Sequence, residues 1–120
     1  MQGFLHGIMH GIVVRLLAVN GDGDGSMNIR RLQLDVDKAT ARPDLLELAE
    51  AIERSPGVEA LNITVTDIDM ETVGLEVTVE GQNIDAPRLI HEIEKTGAAV
   101  HSIDEVVAGA RVIERVPRIR

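Results

Sequence analysis

Residues 60–80 read ALNITVTDIDMETVGLEVTVE, two runs of alternating apolar and polar side chains around a short polar stretch. Such alternation is typical of β-strands that bury one face. The apolar positions are Leu61, Ile63, Val65, Leu75, Val77 and Val79. Residues 69–72, Asp-Met-Glu-Thr, are predicted to form the turn between the runs. This part of the chain therefore predicts two neighbouring antiparallel strands, 60–68 and 73–80.

A strand and a helix are predicted on each side of this pair. Residues 29–36 alternate as a strand, and residues 43–52 carry apolar side chains at helical spacing, with Pro43 opening the helix. After the pair, a second helix is predicted between Asp85 as its cap and Gly97 as its stop, with Pro87 in its first turn, followed by a strand over residues 98–106. The order β-α-β-β-α-β predicts an α+β, ferredoxin-like sandwich, in which a four-stranded antiparallel sheet carries two helices on one face.

The predicted topology leaves the second face of the sheet uncovered. The polar positions of the strands fall on that face: Arg31, Gln33, Asp35, Asn62, Thr64, Thr66, Glu76, Thr78 and Glu80. Such a face stays hydrated, binds a ligand or stacks on another subunit. The fold alone does not choose between these functions.

The composition excludes several classes of protein. The chain has 120 residues, enough for one domain, and it contains no Cys, Trp or Tyr and a single Phe. A disulfide scaffold, a zinc–thiolate site, a cysteine nucleophile and an aromatic platform for bases are therefore excluded. The net charge of −8 repels phosphate backbones, so nucleic acid is not expected as a partner.

Charge divides the chain into three parts, residues 1–26, 27–110 and 111–120. Residues 27–110 are predicted to form the folded domain and hold 7 basic and 17 acidic side chains, a net charge of −10. Residues 111–120 hold four Arg and one Glu, a net charge of +3. We expect this basic tail to be solvated, and docking on a neighbouring subunit is the alternative.

Residues 1–26 are interpreted as an upstream extension, with natural translation starting at Met27. Their apolar, Gly-rich run contains Arg15 and lacks the charge pattern and cleavage site of a signal peptide, so a cytoplasmic protein without membrane attachment is expected. His6 and His10 have zinc-helix spacing without the catalytic Glu, and residues 20–25 resemble the start of a calcium loop without its final Glu. Codons for Gly and Asp are purine-rich, so those of the Gly-Asp repeat before Met27 could resemble a ribosome-binding site.

Four segments carry a resemblance to a known family: GVEALNIT (57–64), DIDMET (67–72), EGQNID (80–85) and, most specifically, HSIDEVVAG (101–109). From about Asn28 to Gly109 the chain resembles the domain of unknown function 211 family, whose members are small, mostly archaeal and uncharacterised. The resemblance implies a ferredoxin-like fold and a symmetric, ring-like homo-oligomer, and it implies bound divalent metal in some members. It implies no particular activity.

Carboxylates are the main candidate ligands in the sequence. Asp67, Asp69 and Glu71 fall at positions i, i+2 and i+4, which on one extended strand lie on the same side. Hard cations such as Ca²⁺ or Mg²⁺ prefer several oxygen ligands, and two subunits of a ring can share them. The alternative is a solvated acidic strand end whose like charges keep the molecule soluble.

A second group of residues is predicted to bind a ligand or lie at an interface. Its members are Asp35, Glu76, His101, Asp104 and Glu105. His101 is interpreted as a histidine at the edge of the core, and the alternative places it on the sheet surface beside Asp35 or Glu76. A nucleophilic triad of His101, Ser102 and Asp104 is rejected, because adjacent residues of a strand point to opposite faces.

These patterns predict a non-enzymatic, homo-oligomeric binding or regulatory protein that takes up divalent metal or a small ligand where subunits meet. The alternative is a small enzyme that uses carboxylates or metal-activated water on a small metabolite.

Overall fold

The computed structural model describes residues 27–117, which fold in the predicted order β-α-β-β-α-β. The elements are β1 (Ile29–Ala39), α1 (Leu45–Glu53), β2 (Val58–Ile68), β3 (Thr72–Gly81), α2 (Ala86–Lys95) and β4 (Ala99–Ala108). The α+β, ferredoxin-like prediction is confirmed. The proposed extension, residues 1–26, and the last three tail residues lie outside the described part of the chain.

The four strands form one antiparallel sheet in the order β2-β3-β1-β4. β1 and β3 are therefore central, and β2 and β4 are the edges. Leu34 of β1 lies opposite Val77 of β3 on one side and opposite Ile103 of β4 on the other. This register places the apolar positions of three strands on one face of the sheet.

The core lies between that face and the two helices. Leu48 and Ile52 of α1 and Leu89 and Ile93 of α2 are completely buried and belong to one cluster with the apolar strand residues, among them Leu34. Burying a Leu or Ile side chain stabilises a fold by roughly 1.5–3 kcal/mol, so this cluster supplies most of the driving force for folding.

The helix starts follow their capping residues. The side chain of Asp44 accepts a hydrogen bond from the backbone N–H of Glu47 at 2.8 Å, and Asp85 accepts one from that of Arg88 at 3.1 Å. Asp85 and the proline in the first turn of α2 are as predicted. The prediction that Pro43 opens α1 is wrong, because Asp44 is the cap and the proline precedes it.

Two glycines allow two backbone segments to approach closely where β2 begins and β3 ends. Gly57 has a φ of +89°, which favours glycine, and a Cβ atom at Gly81 would lie 1.8 Å from the carbonyl oxygen of Gly57. The backbones therefore meet at a distance that no side chain allows.

The search for membrane-crossing segments covered the described residues. Neither of the two helices found there has the length and apolar character that spanning a bilayer demands.

Candidate functional site

The face of the sheet opposite the helices is polar, as predicted, and we call it the open face. Its cross-strand rows follow from the register. One row is Asn62, Thr78, Gln33 and Glu105, and the next is Thr64, Glu76, Asp35 and Ser102. Side chains from all four strands therefore share one surface. Three of the predicted ligand or interface residues, Asp35, Glu76 and Glu105, lie in these rows, and Asp35 is opposite Glu76.

Asp35 and Glu76 are exposed and lie directly opposite each other on β1 and β3. Within residues 27–117, neither carboxylate forms an ion pair with a Lys, Arg or His side chain. Like charges in this arrangement repel each other across the strands. The pair therefore adds a local negative potential that the described residues leave uncompensated.

A gap follows in the next row, where Gly74 of β3 lies between Asp37 of β1 and Asp67 of β2. A Cβ atom at Gly74 would lie 3.4 Å from the Cβ of Asp67 and 3.7 Å from Oδ1 of Asp37. Because glycine has no side chain, a space of about one methyl group, also bordered by the Thr66 hydroxyl, separates the two aspartates. We refer to Asp35, Asp37, Asp67 and Glu76 together as the open-face carboxylates.

His101 lies on the open face, and its interpretation as a core-edge histidine is wrong. Its side chain is 54% exposed, and its Nε2 lies 2.6 Å from Oδ2 of Asp37. The cause is a bulge: Val100 lies opposite Val36 and Ser102 opposite Asp35, which leaves His101 without a residue opposite it in β1. The surface alternative is the observed one, with Asp37 as the partner in place of Asp35 or Glu76.

A second irregularity in β4 involves Asp104, which lies between the paired positions of Ile103 and Glu105. Its Oδ1 accepts a hydrogen bond from the hydroxyl of Ser102 at 2.8 Å. Among residues 27–117 no hydrogen bond joins this hydroxyl to His101, so the triad does not form. The reason given for rejecting it is nevertheless wrong, because the bulge places both side chains on the open face.

The third predicted group, Asp67, Asp69 and Glu71, does not share one strand. β2 ends at Ile68, and Asp69 and Glu71 lie in the turn before β3. The side chain of Asp69 accepts a hydrogen bond from the backbone N–H of Met70 at 2.9 Å. The premise of three carboxylates along one extended strand is therefore wrong, and Asp67 lies with the open-face carboxylates.

Within residues 27–117, no three His, Cys, Asp or Glu side chains lie close enough together to hold a metal ion. Ca²⁺ takes six to eight oxygen ligands. A cation on the open face would therefore take ligands from solvent or from a second molecule in addition to those of one described chain.

Arg31 lies at the other end of the open face, where three carboxylates lie within 4 Å of its guanidinium. Its guanidinium donates to both oxygens of Glu114 at 2.9 and 3.1 Å and to Glu80 at 2.9 Å, and Glu105 is 3.9 Å away. The hydrogen bonds that Arg31 donates to Glu114 and, secondly, to Glu80 raise the pKa of Arg31, and those that Glu114 accepts lower the pKa of Glu114. Both groups are therefore charged at neutral pH.

Residues 111–117 of the tail are all exposed, as expected of a solvated tail, and Glu114 in addition pairs with Arg31 of the domain. Glu114 is separated from Arg31 by 83 positions in the chain. Glu114 is the single acidic residue of residues 111–120, among four arginines, and this marked it in the sequence. Its partner, Arg31, could not be read from the sequence because the contact depends on the fold. Asp37 was recognised as a carboxylate near the end of the first strand but was not assigned to the site; β1 continues to Ala39 and so carries Asp37 on the sheet.

Comparisons with known proteins identify a family and no activity. The family model for DUF211, described as "Uncharacterized ArCR", matches residues 30–120. The chain is also similar to an uncharacterised protein of Methanocaldococcus jannaschii, MJ0319, with 42% identity over 88 residues that cover 73% of this chain and 90% of the relative.

Proposed function

This chain belongs to the DUF211 family, and from that premise we propose that it is a non-enzymatic, homo-oligomeric binding protein of the cytoplasm. Its ligand in this proposal is a divalent cation, Ca²⁺ or Mg²⁺, bound on the open face where two copies meet. The observation that carries the proposal is an uncovered sheet face on which four carboxylates lie in two adjacent rows.

The charge of the open-face carboxylates supports a cationic ligand. Asp35 and Glu76 lack an ion-pair partner among residues 27–117, and Asp37 has His101 as its neighbour. Carboxylate oxygens are the ligands that hard cations prefer, and a bound cation removes the repulsion between Asp35 and Glu76. Asp37 and Asp67 flank Gly74, which puts no side chain between them.

The incomplete ligand set supports a second copy as the partner. Residues 27–117 of a single chain bring together fewer than three suitable side chains at any point. Two copies that face each other double the number of carboxylates, and the ion offsets the repulsion between the two acidic surfaces. Cation binding and assembly are then coupled, because assembly completes the ligand set of the ion and the ion reduces the repulsion between the copies.

Native mass spectrometry of the full chain, with and without added Ca²⁺ or Mg²⁺, tests this proposal. We expect a discrete oligomer with a fixed number of ions, whose population falls when a chelator is added. A chain that stays monomeric at every concentration, with or without the ion, would contradict the proposal.

Titration calorimetry of matched variants tests the ligand assignment. Asp37→Asn combined with Asp67→Asn should weaken Ca²⁺ binding by roughly tenfold or more, because affinity follows the number of charged ligands. The control is Glu53→Gln, which removes the same kind of charge from the exposed end of α1 on the helix side.

A third variant separates the two carboxylate groups. Asp69→Asn with Glu71→Gln changes the turn and leaves the open-face carboxylates intact. We expect a small effect on Ca²⁺ affinity. A large loss here, with unchanged affinity in the Asp37 and Asp67 variant, would move the site to the turn.

A further inference from the structure

The segment after β4, residues 111–117, has a fixed root. The backbone N–H of Gly109 donates to the carbonyl oxygen of Asn28 at 2.9 Å, and the Asn28 side chain donates to the carbonyl oxygen of Gly109 at 3.3 Å. Nη1 of Arg30 reaches the carbonyl oxygen of Ala110 at 3.4 Å. We call residues 111–117 the arm, and it leaves the domain at a defined point.

Beyond this root the arm has one polar anchor. Among the described residues, its hydrogen bonds and ion pairs to the rest of the chain are those between Glu114 and Arg31. A bidentate guanidinium–carboxylate pair is directional and strong, and it defines where the arm docks. Neighbouring arm residues form no strand with the sheet edge.

The arm also leaves apolar side chains in water. Ile113 is 72% exposed and Val116 is 78% exposed. Apolar side chains grouped on an extended segment are typical of a surface that another molecule covers. The described domain does not cover them, although Glu114 is already docked.

We propose that the arm is exchanged between copies of this chain, so that Glu114 of one copy binds Arg31 of the next and the apolar arm residues pack on that neighbour. Exchange repeats the Glu114–Arg31 contact between copies at little cost in free energy. It also brings a second surface beside the arm, and this additional contact covers the apolar side chains that one copy leaves exposed. Charge favours the exchange, because residues 111–120 carry +3 and residues 27–110 carry −10. This inference rests on the homo-oligomer proposed above and identifies one of its contacts.

Charge reversal in separate chains tests the exchange. Arg31→Glu and Glu114→Arg each place equal charges at the docking point, and each should raise the concentration at which half the assembly dissociates by roughly tenfold or more. When the two variants are mixed, every junction between unlike chains again joins opposite charges. Native mass spectrometry of the mixture should then show assemblies that contain both chains.

A pair that forms within one chain gives a different result. Each variant chain keeps its own mismatched pair, so mixing restores nothing. An oligomeric wild type whose two variants fail to assemble with each other would overturn the exchange and leave the proposed function intact. A wild type that is monomeric under all conditions would overturn both.

A cross-link keeps the test decisive if Arg31→Glu does not fold. The chain has no cysteine, so Arg31→Cys and Glu114→Cys can be combined in one chain and joined with a short bismaleimide. Exchange predicts covalent dimers and larger species on a denaturing gel, whereas a pair within the chain predicts cross-linked monomer alone. Glu53→Cys with Glu114→Cys is the control and should give no multimers.

Discussion

Two glycines of β3, Gly81 and Gly74, have different surroundings. We expect substitution of Gly81 to affect stability and substitution of Gly74 to affect binding. A Cβ atom at Gly81 meets the backbone of Gly57, whereas at Gly74 its nearest neighbour is the Thr66 hydroxyl at 3.3 Å, which can move slightly. We expect Gly81→Ala to lower the free energy of unfolding by about 3 kcal/mol, and Gly74→Ala to leave it unchanged or raise it by about 0.5 kcal/mol. Urea unfolding measures both values.

The same Gly74→Ala variant should weaken cation binding, because its methyl group fills the gap between Asp37 and Asp67. Calorimetry with Ca²⁺ on the folded variant measures this effect. Unchanged affinity would show that the gap is not used by the ion.

Glu92 gives α2 a pH dependence of known sign. The hydrogen bond from Arg88 at 2.9 Å lowers the pKa of Glu92 against the opposing effect of burial, and Lys95 adds to the lowering. A carboxylate with a lowered pKa in the folded state stabilises the fold above its ordinary pKa, and this contribution is lost as the pH falls through the lowered value. Glu92→Gln should therefore lower the urea midpoint at pH 7 and have no effect in strong acid.

Urea titrations across the acidic range check this expectation, with Glu50→Gln on the exposed face of α1 as the control. A difference between wild type and Glu92→Gln that persists at low pH would mean that Glu92 acts through packing and not through its charge.

His101 shows why single residues were harder to predict than strands. The strand predicted over residues 98–106 is present, but two bulges in β4 shift which side chains share a face. A bulge adds one residue without changing the local composition, so alternation in the sequence places the following side chains on the wrong side. The contact of His101 with Asp37 depends on that shift.

At the scale of elements, the start of α1 is stabilised by its capping residue, Asp44. Asp44→Ala removes the acceptor for the backbone N–H of Glu47, and we expect a loss of about 1 kcal/mol in the free energy of unfolding. Asp44→Asn keeps an oxygen acceptor and should recover most of that stability, which chemical denaturation can measure. Equal losses in both variants would assign the effect to charge near the helix start and not to the hydrogen bond.

The elements themselves were largely predictable, because their signals are local. Alternation identified β2 and β3, and helical spacing with Asp85, Pro87 and Gly97 identified α2. The errors lie at element ends: β1 runs three residues beyond Val36, to Ala39. Strands extend where a neighbour provides hydrogen bonds, and Asp37 has such neighbours in Gly74 and Ala99, which lie far away in the sequence.

At the scale of the whole molecule, the topology followed from the order of elements, whereas the candidate site did not. Right-handed connections place both helices on one face, and this alone predicts an open face opposite them. The sequence placed carboxylates on that face, including Asp35 and Glu76. Asp37 and Asp67 meet around Gly74 through pairing with β3, and Glu114 meets Arg31 through the return of the chain after β4. Contacts of this kind depend on tertiary structure and have no local signature.

The open-face carboxylates also predict how the fold responds to salt. Asp35→Asn removes one of two facing charges, so it should raise the free energy of unfolding by up to about 1 kcal/mol at low ionic strength. Salt screens the same repulsion in the wild type, so the gain should shrink as salt is added. Glu53→Gln makes the net charge less negative by the same amount, at a site on α1. Urea unfolding at low and high salt compares the free energies of unfolding of the two variants. If both variants gain the same free energy of unfolding, the effect comes from total charge. A larger, salt-sensitive gain for Asp35→Asn assigns the effect to the open face. Bound Ca²⁺ should then produce the same stabilisation in the wild type and a smaller one in Asp35→Asn.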